Sequence, residues 1–170
     1  MSEAKRELKA ITREGVGTAL QKAHRYRVLN DSAAAESICL DVLAVDPTNL
    51  EALVMHVLSI TDQFDGGRAN DLKRAEAAVA LLTDPYTNAY YNGITCERWA
   101  KSIIRRSVPR GDEMAWEWVD RAFVWYGKAE KLRAPGNDEA ILRWNACVRL
   151  LAARPKVRPR AAEAYEPALE

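Results

Sequence analysis

Glycine, proline, cysteine and histidine are all scarce in this chain of 170 residues, which contains 8 glycines, 7 prolines, 3 cysteines and 2 histidines. Such low glycine and proline contents exclude a collagen-like or low-complexity chain and leave long segments uninterrupted. The odd number of cysteines, with no C-x-x-C pair, argues against a disulfide framework or a zinc or redox motif. We therefore expect Cys39, Cys96 and Cys147 to be small buried residues in a reducing compartment.

A marked charge excess and a long apolar run are also missing. The 25 basic and 24 acidic residues give a formal net charge of +1, which argues against a protein built chiefly to bind a polyanion. No segment has the roughly 18 consecutive apolar residues that a membrane span requires, and residues 1–7 lack the apolar run of a secretory leader. Because 48% of the residues are hydrophobic, the chain can bury a core without metals. We expect a soluble, cytoplasmic protein with no membrane partner.

Catalytic and cofactor-binding motifs are not found in the sequence. His24 and His56 lie outside any H-E-x-x-H pattern, and neither is followed by a carboxylate four residues later. No phosphate-binding loop, dinucleotide fingerprint or nucleophile elbow occurs. Acidic residues are abundant but mixed with basic ones along the predicted exposed faces, so no carboxylate pair stands out for acid–base chemistry. The sequence therefore predicts no enzyme, no cofactor and no metal site.

Helix-forming residues at helical spacing dominate the chain, and no segment alternates as a strand would. This pattern predicts an all-α protein with helices at 3–14, 16–29, 31–45, 48–63, 68–83, 86–107, 112–133 and 137–153. Residues 1–153 are predicted to form a single domain. Residues 154–170, which include Pro155, Pro159 and Pro167, are predicted to be an extended or disordered tail.

The two longest predicted helices have complementary surfaces. Small residues recur along 86–107, at Ala89, Gly93, Cys96 and Ala100. Large apolar residues recur along 112–133 in two stripes, one at Trp118, Ala122, Trp125, Ala129 and Leu132 and the other at Trp116, Val119, Phe123 and Tyr126. A small face allows a neighbouring helix to approach closely, so we expect these helices to pack as an antiparallel pair.

A repeat pattern is visible in the first third of the chain. Ala23 and Tyr26 are followed by Ala35, Cys39 and Val42, and the segment Asp46-Pro47-Thr48-Asn49 leads into Ala52-Leu53. Small residues at helix crossings and a closing proline are typical of a helix-hairpin repeat of about 34 residues. The region 16–53 resembles a unit of the tetratricopeptide-repeat (TPR) family, and 122–135 has a related spacing. The resemblance implies antiparallel helix hairpins stacked as a short right-handed solenoid, with an irregular long-helix hairpin in the C-terminal half.

The same resemblance implies where a partner would bind. In TPR arrays the first helix of each unit lines a concave groove, and the corresponding residues are Leu20, His24, Arg27, Val54, Leu58, Asp62, Tyr90, Ile94 and Arg98. The segment 48–63 is apolar around most of its circumference, so one of its faces needs a cover. The resemblance thus implies a non-catalytic adaptor or chaperone-like scaffold whose groove binds an apolar peptide or partner helix. The chain's own N-terminal helix or a second subunit could cover that face instead.

Two other functions remain open at the level of sequence. The first is a structural, self-associating protein, in which the apolar groove or the last helix is buried between subunits of a homodimer. The second is a nucleic-acid-binding helical repeat. Its basic surface would consist of Lys101, Arg105, Arg106 and Arg110, with Arg154, Lys156, Arg158 and Arg160 in the tail.

Overall fold

A computed structural model describes residues 6–68 and 70–160 of the chain. The described residues form seven α-helices and no strand, which confirms the all-α prediction. The helices are α1 (Val16–Val28), α2 (Ser32–Val45), α3 (Leu50–Thr61), α4 (Asp71–Ala80), α5 (Pro85–Arg106), α6 (Gly111–Leu132) and α7 (Glu139–Ala153), with a short 3-10 turn at Phe64–Gly66 between α3 and α4. None of these helices is long and apolar enough to cross a membrane.

Side-chain caps explain why several helices begin where they do. The Asp31 carboxylate accepts a hydrogen bond from the Ala34 amide at 3.1 Å, and Asn49 accepts one from the Ala52 amide at 3.0 Å. Asp84 accepts one from the Thr87 amide at 2.8 Å, just before Pro85 at the first turn of α5. Each cap satisfies an amide that has no partner within the helix. The seven helices from 16 onward lie as predicted, with ends that differ by at most three residues.

The predicted helix at 3–14 is wrong over the described residues. Residues 6–15 contain no helix, and Leu8 is 96% exposed. Ile11 alone packs partly against the small core cluster around Leu20 and Val42. An isolated helix of about 12 residues is only marginally stable in water, and this segment has too few apolar residues to dock one. Residues 1–5 lie outside the described residues, and a helical N-terminal cover for the groove is not observed over 6–15.

Each helix packs against the next one along the chain. The most extensive pairing joins α5 and α6, followed by α1 with α2 and α2 with α3. Short connections make these neighbours antiparallel, as shown by Tyr90 lying near Tyr126 while Ile103 lies near Gly111. Two further pairings, α1 with α3 and α3 with α5, bring alternate helices side by side.

The largest core cluster lies between α5 and α6, and the predicted line of small residues forms its centre. Ala89, Gly93, Cys96 and Ala100 are all buried. The Tyr126 ring rests on Gly93, where an added Cβ atom would be 2.4 Å from the ring carbon Cε1. On α6 the buried line combines members of both predicted stripes, at Ala115, Val119, Ala122, Tyr126 and Ala129. The tryptophans Trp116, Trp118 and Trp125 flank this line and are only partly buried.

The segment after α7 is non-helical but attached. Val157 is 5% exposed and belongs to the α5–α6 core cluster. Its amide donates to the Arg154 carbonyl at 2.9 Å, which closes a turn immediately after α7. Residues 161–170 of the predicted tail lie outside the described residues.

Candidate functional site

A row of ion pairs connects the C-terminal ends of α1 and α3 to the middle of α5. Asp62, the residue after α3, accepts from Arg27 Nε at 2.8 Å and from Arg98 at 2.5 Å. Arg98 also donates to the Thr61 hydroxyl at 2.7 Å and to the Leu58 carbonyl at 3.3 Å. Burial lowers the pKa of Arg98, and the adjacent Asp62 carboxylate opposes that shift. Because one carboxylate binds two arginines from different hairpins, the row fixes alternate helices relative to one another.

A second, buried cluster begins one residue earlier on α5. Glu97 is 1% exposed, and its carboxylate accepts a 2.6 Å hydrogen bond from the Tyr126 hydroxyl of α6. Lys101 forms an ion pair with the same carboxylate, and Arg143 of α7 lies 3.6 Å from it. Burial, reinforced by the charge of Glu97, raises the pKa of Tyr126. A buried charge is tolerated only when it is paired, so Glu97 holds α6 and α7 against α5.

Two surface hollows lie on either side of Asp62. One, of about 470 Å³, is lined by Arg27, Val28, Asn30, Ser32 and Asp62. The other, of about 320 Å³, is lined by Thr61, Asp62, Glu97, Arg98, Lys101, Arg105 and Arg143. We call the surface that contains both hollows the charged face. Its charged residues are five basic, Arg27, Arg98, Lys101, Arg105 and Arg143, and three acidic, Asp62, Asp65 and Glu97.

The nine residues predicted to line a groove divide into three groups. Leu20, Tyr90 and Ile94 are buried within core clusters, so their side chains face the interior. Val54 and Leu58 are half-buried on α3 and pack beside the core, while His24 is exposed on α1. Arg27, Asp62 and Arg98 are brought together as the ion-pair row. The surface between the hairpins is therefore more strongly charged than the apolar groove that the sequence predicts.

The predicted basic surface is not one continuous patch. Lys101 is paired with Glu97, and Arg105 is paired with Asp65 at 2.6 Å. Arg106 lies over the Trp99 ring, 5.1 Å from its centre. Arg110 contacts Glu113 at 2.9 Å in the connection between α5 and α6. Each of these four cations is thus partnered within the protein, which lowers its value to an external phosphate.

Glu97, Tyr126 and Arg143 were not predicted from the sequence to form one cluster. A signal for Glu97 was present, because it lies four residues after Gly93 and three before Ala100, on the buried side of α5. Arg143 gave no such signal, since only the packing of α7 brings it to Glu97. Sequence spacing shows which residues share a face of one helix. It does not show which faces of different helices pack together.

A further charged cluster joins α2, α3 and α4. The half-buried Arg74 forms ion pairs with Glu36 and with Asp71, and the His56 Nε2 atom lies 3.8 Å from the Glu36 carboxylate. Burial lowers the pKa of His56, although the charge of Glu36 opposes this effect. These residues again tie neighbouring helices together, and we assign them a structural role.

The three cysteines are free and buried, as the sequence predicts. Burial raises the pKa of each thiol from 9.0 to about 12. A thiol is a weak nucleophile while it is protonated, so none of the three is prepared to act as one near neutral pH. Among residues 6–68 and 70–160 no group of three or more His, Cys, Asp or Glu side chains is placed to hold a metal ion.

No protein-family model matches the chain, and neither the curated proteins nor the solved structures contain a significant match to it.

Proposed function

We propose that the protein is a short TPR-like solenoid that acts as a non-catalytic protein-interaction module. The alternating contacts of the fold support this arrangement, because α1 meets α3 and α3 meets α5 in addition to the sequential hairpins. Stacked hairpins of this kind present one helix of each pair on a common surface. We further propose that the protein works in the cytoplasm, where its three free thiols would stay reduced.

The observation that carries the proposal is the charged face, where Asp62 separates two hollows and its ion pairs fix three helices. A partner segment lying across it would place polar groups near Arg27 and Arg98. Its apolar side chains would meet the half-buried Val54 and Leu58. Ion pairs that are formed before binding reduce the ordering that a partner must impose, so the surface is preorganised.

A matched pair of variants tests this assignment. Val54→Glu places a charge at a half-buried position of α3, the helix that ends just before Asp62, while Leu40→Glu places the same charge on α2 at a position that is 51% exposed. Partners that the wild-type protein captures from its source cells are first identified and quantified. Each partner is then purified and titrated against the wild type and the two variants. We expect Val54→Glu to weaken binding at least about tenfold and Leu40→Glu to leave it unchanged. Equal binding by all three proteins would refute the assignment of the charged face.

Self-association is the second candidate, and α7 provides a specific reason to consider it. Within the described chain α7 packs mainly on α6, and it leaves Leu142 64% exposed and Val148 47% exposed. Exposed apolar residues on a helix that is covered on one side only are typical of surfaces that pair with a second copy. Nucleic-acid binding is a weaker candidate, because Lys101, Arg105, Arg106 and Arg110 of the predicted basic surface are already partnered.

A further inference from the structure

A basic cleft lies at the end of the α5–α6 hairpin. It has a volume of about 860 Å³ and is formed by the end of α5, the connection to α6, the first turn of α6 and the segment after α7. Arg110, Arg154, Lys156 and Arg158 supply its basic groups, and Ile103, Ile104 and Val108 supply apolar wall. Asp112 and Glu113 are its acidic members, so basic residues exceed acidic ones by two.

The cations of this cleft have fewer carboxylate partners than those of the charged face. On the charged face Arg27, Arg98 and Lys101 each form an ion pair with a carboxylate. In the cleft Glu113 is engaged by Arg110. Arg154, Lys156 and Arg158 form no ion pair with any residue that the structure describes. Three cations within five residues of chain, none of them paired with a carboxylate of residues 6–68 or 70–160, create a local positive potential that an incoming anion would meet.

Val157 holds this basic segment in place. The valine is 5% exposed and packs in the α5–α6 core cluster, while its neighbours Lys156 and Arg158 are exposed. The turn closed by the Val157 amide and the Arg154 carbonyl fixes the start of the segment. The cations are therefore attached to the folded domain rather than to a freely moving end, which lowers the entropy cost of binding a ligand.

We propose that this cleft binds an acidic segment of a partner protein, with glutamate or aspartate side chains on Arg154, Lys156 and Arg158. Apolar side chains of the same segment would contact the wall formed by Ile104 and Val108. A peptide suits the site better than a nucleic acid. A long polyanion would extend beyond the cleft and meet the exposed Glu117 and Asp120 of α6, and like charges repel it there.

Fluorescence anisotropy on the full chain tests the proposal with defined probes. The probes are a labelled peptide composed of glutamate and leucine, the same peptide with glutamine in place of glutamate, and a single-stranded oligothymidine. We expect the glutamate peptide to bind, with an affinity that falls as salt is raised, and the glutamine peptide to bind at least about tenfold more weakly. Equal affinity for the two peptides, no binding of either, or binding of the oligonucleotide alone would overturn the proposal.

Two charge-reversal triples locate the binding. Arg154→Glu with Lys156→Glu and Arg158→Glu should weaken binding of the glutamate peptide at least about tenfold. Arg13→Glu with Lys22→Glu and Arg25→Glu changes the net charge by the same amount at exposed positions outside the cleft and should have little effect. If both triple variants lost the same affinity for the glutamate peptide, the effect would come from net charge alone. That result would contradict binding at the cleft.

Val157→Ala tests the role of the anchor without changing any charge. We expect several-fold weaker peptide binding with unchanged helix content, because the basic segment loses part of its attachment. If a folded Val157→Ala variant bound the peptide as tightly as the wild type, the attachment of the basic segment by Val157 would not contribute to binding. That result would contradict the inferred site.

Discussion

Gly93 and Tyr126 meet where α5 and α6 cross, and their contact shows how one residue sets the distance between two helices. The ring occupies the space that a side chain at position 93 would need. It is also held from its far end, because the Tyr126 hydroxyl donates to the buried Glu97 carboxylate at 2.6 Å. A ring fixed at both ends cannot move aside easily, so glycine is required here for packing rather than for backbone conformation.

Gly93→Ala should destabilise the protein by about 1–3 kcal/mol, because the new methyl group overlaps the Tyr126 ring. Gly127→Ala is the matched control in α6. Its added carbon would meet only the Trp144 ring at 3.6 Å, an ordinary contact, so the better helix propensity of alanine should raise stability by up to about 1 kcal/mol. Urea unfolding followed by circular dichroism measures the free energy of unfolding of both variants. Two variants with equal stability would contradict the packing at Gly93.

The element with the weakest attachment among the described helices is α7, which rests mainly on α6. Trp144 provides its main aromatic contact, with its ring centre 4.6 Å from that of Phe123, and Cys147 is fully buried nearby. Arg143 adds the 3.6 Å approach to Glu97. The exposed side of the same helix carries Leu142 and makes no comparable contact.

Trp144→Ala should therefore cost about 1–3 kcal/mol, less than for a fully buried tryptophan because the residue is 38% exposed. Leu142→Ala, at a position 64% exposed on the same helix, should change the unfolding free energy by no more than about 0.5 kcal/mol. Thermal unfolding measures the stability of the two variants, and hydrogen exchange of the α7 amides measures the local stability of α7 in each. If Leu142→Ala were the more damaging change, α7 would have to pack through its other face, either within the chain or against a second copy.

The N-terminal segment and α7 also show what could be predicted at the level of elements. Caps such as Asp31 and Asn49 and the prolines between helices are local signals, so the helices from 16 onward could be placed from sequence. The helix expected at 3–14 has similar local propensity, but among residues 6–14 only Ile11 packs against the core, and packing is not a local property. The buried cluster of Glu97 with Arg143 was missed for the same reason, since its members meet only after α7 docks.

Across the whole molecule, buried thiols couple stability to pH. Burial raises the pKa of Cys39, Cys96 and Cys147 from 9.0 to about 12. The native state therefore keeps these protons at pH values where the unfolded chain has lost them. The stabilisation is fully present below pH 9, the value of the unfolded thiol, and is lost as pH rises from there towards 12.

We accordingly expect the free energy of unfolding to fall as pH rises from about 9 to about 10.5, by roughly 1 kcal/mol per thiol at one unit above the unfolded pKa. Urea unfolding in the presence of a reductant measures the fall. Replacement of Cys147 by alanine should flatten the dependence, because one of the three groups no longer titrates. A stability that stays constant over this range would contradict the burial of the thiols.

The proposed function requires that the charged face be available to a partner protein. Light scattering after size-exclusion chromatography, over a dilution series of the purified chain, shows whether that face is free. We predict a monomer of 19.0 kDa at all concentrations, for the wild type and for Val54→Glu alike. A stable dimer that dissociates on Val54→Glu but not on Leu40→Glu would contradict the claim, because the face assigned to a partner would be buried between two copies of the chain.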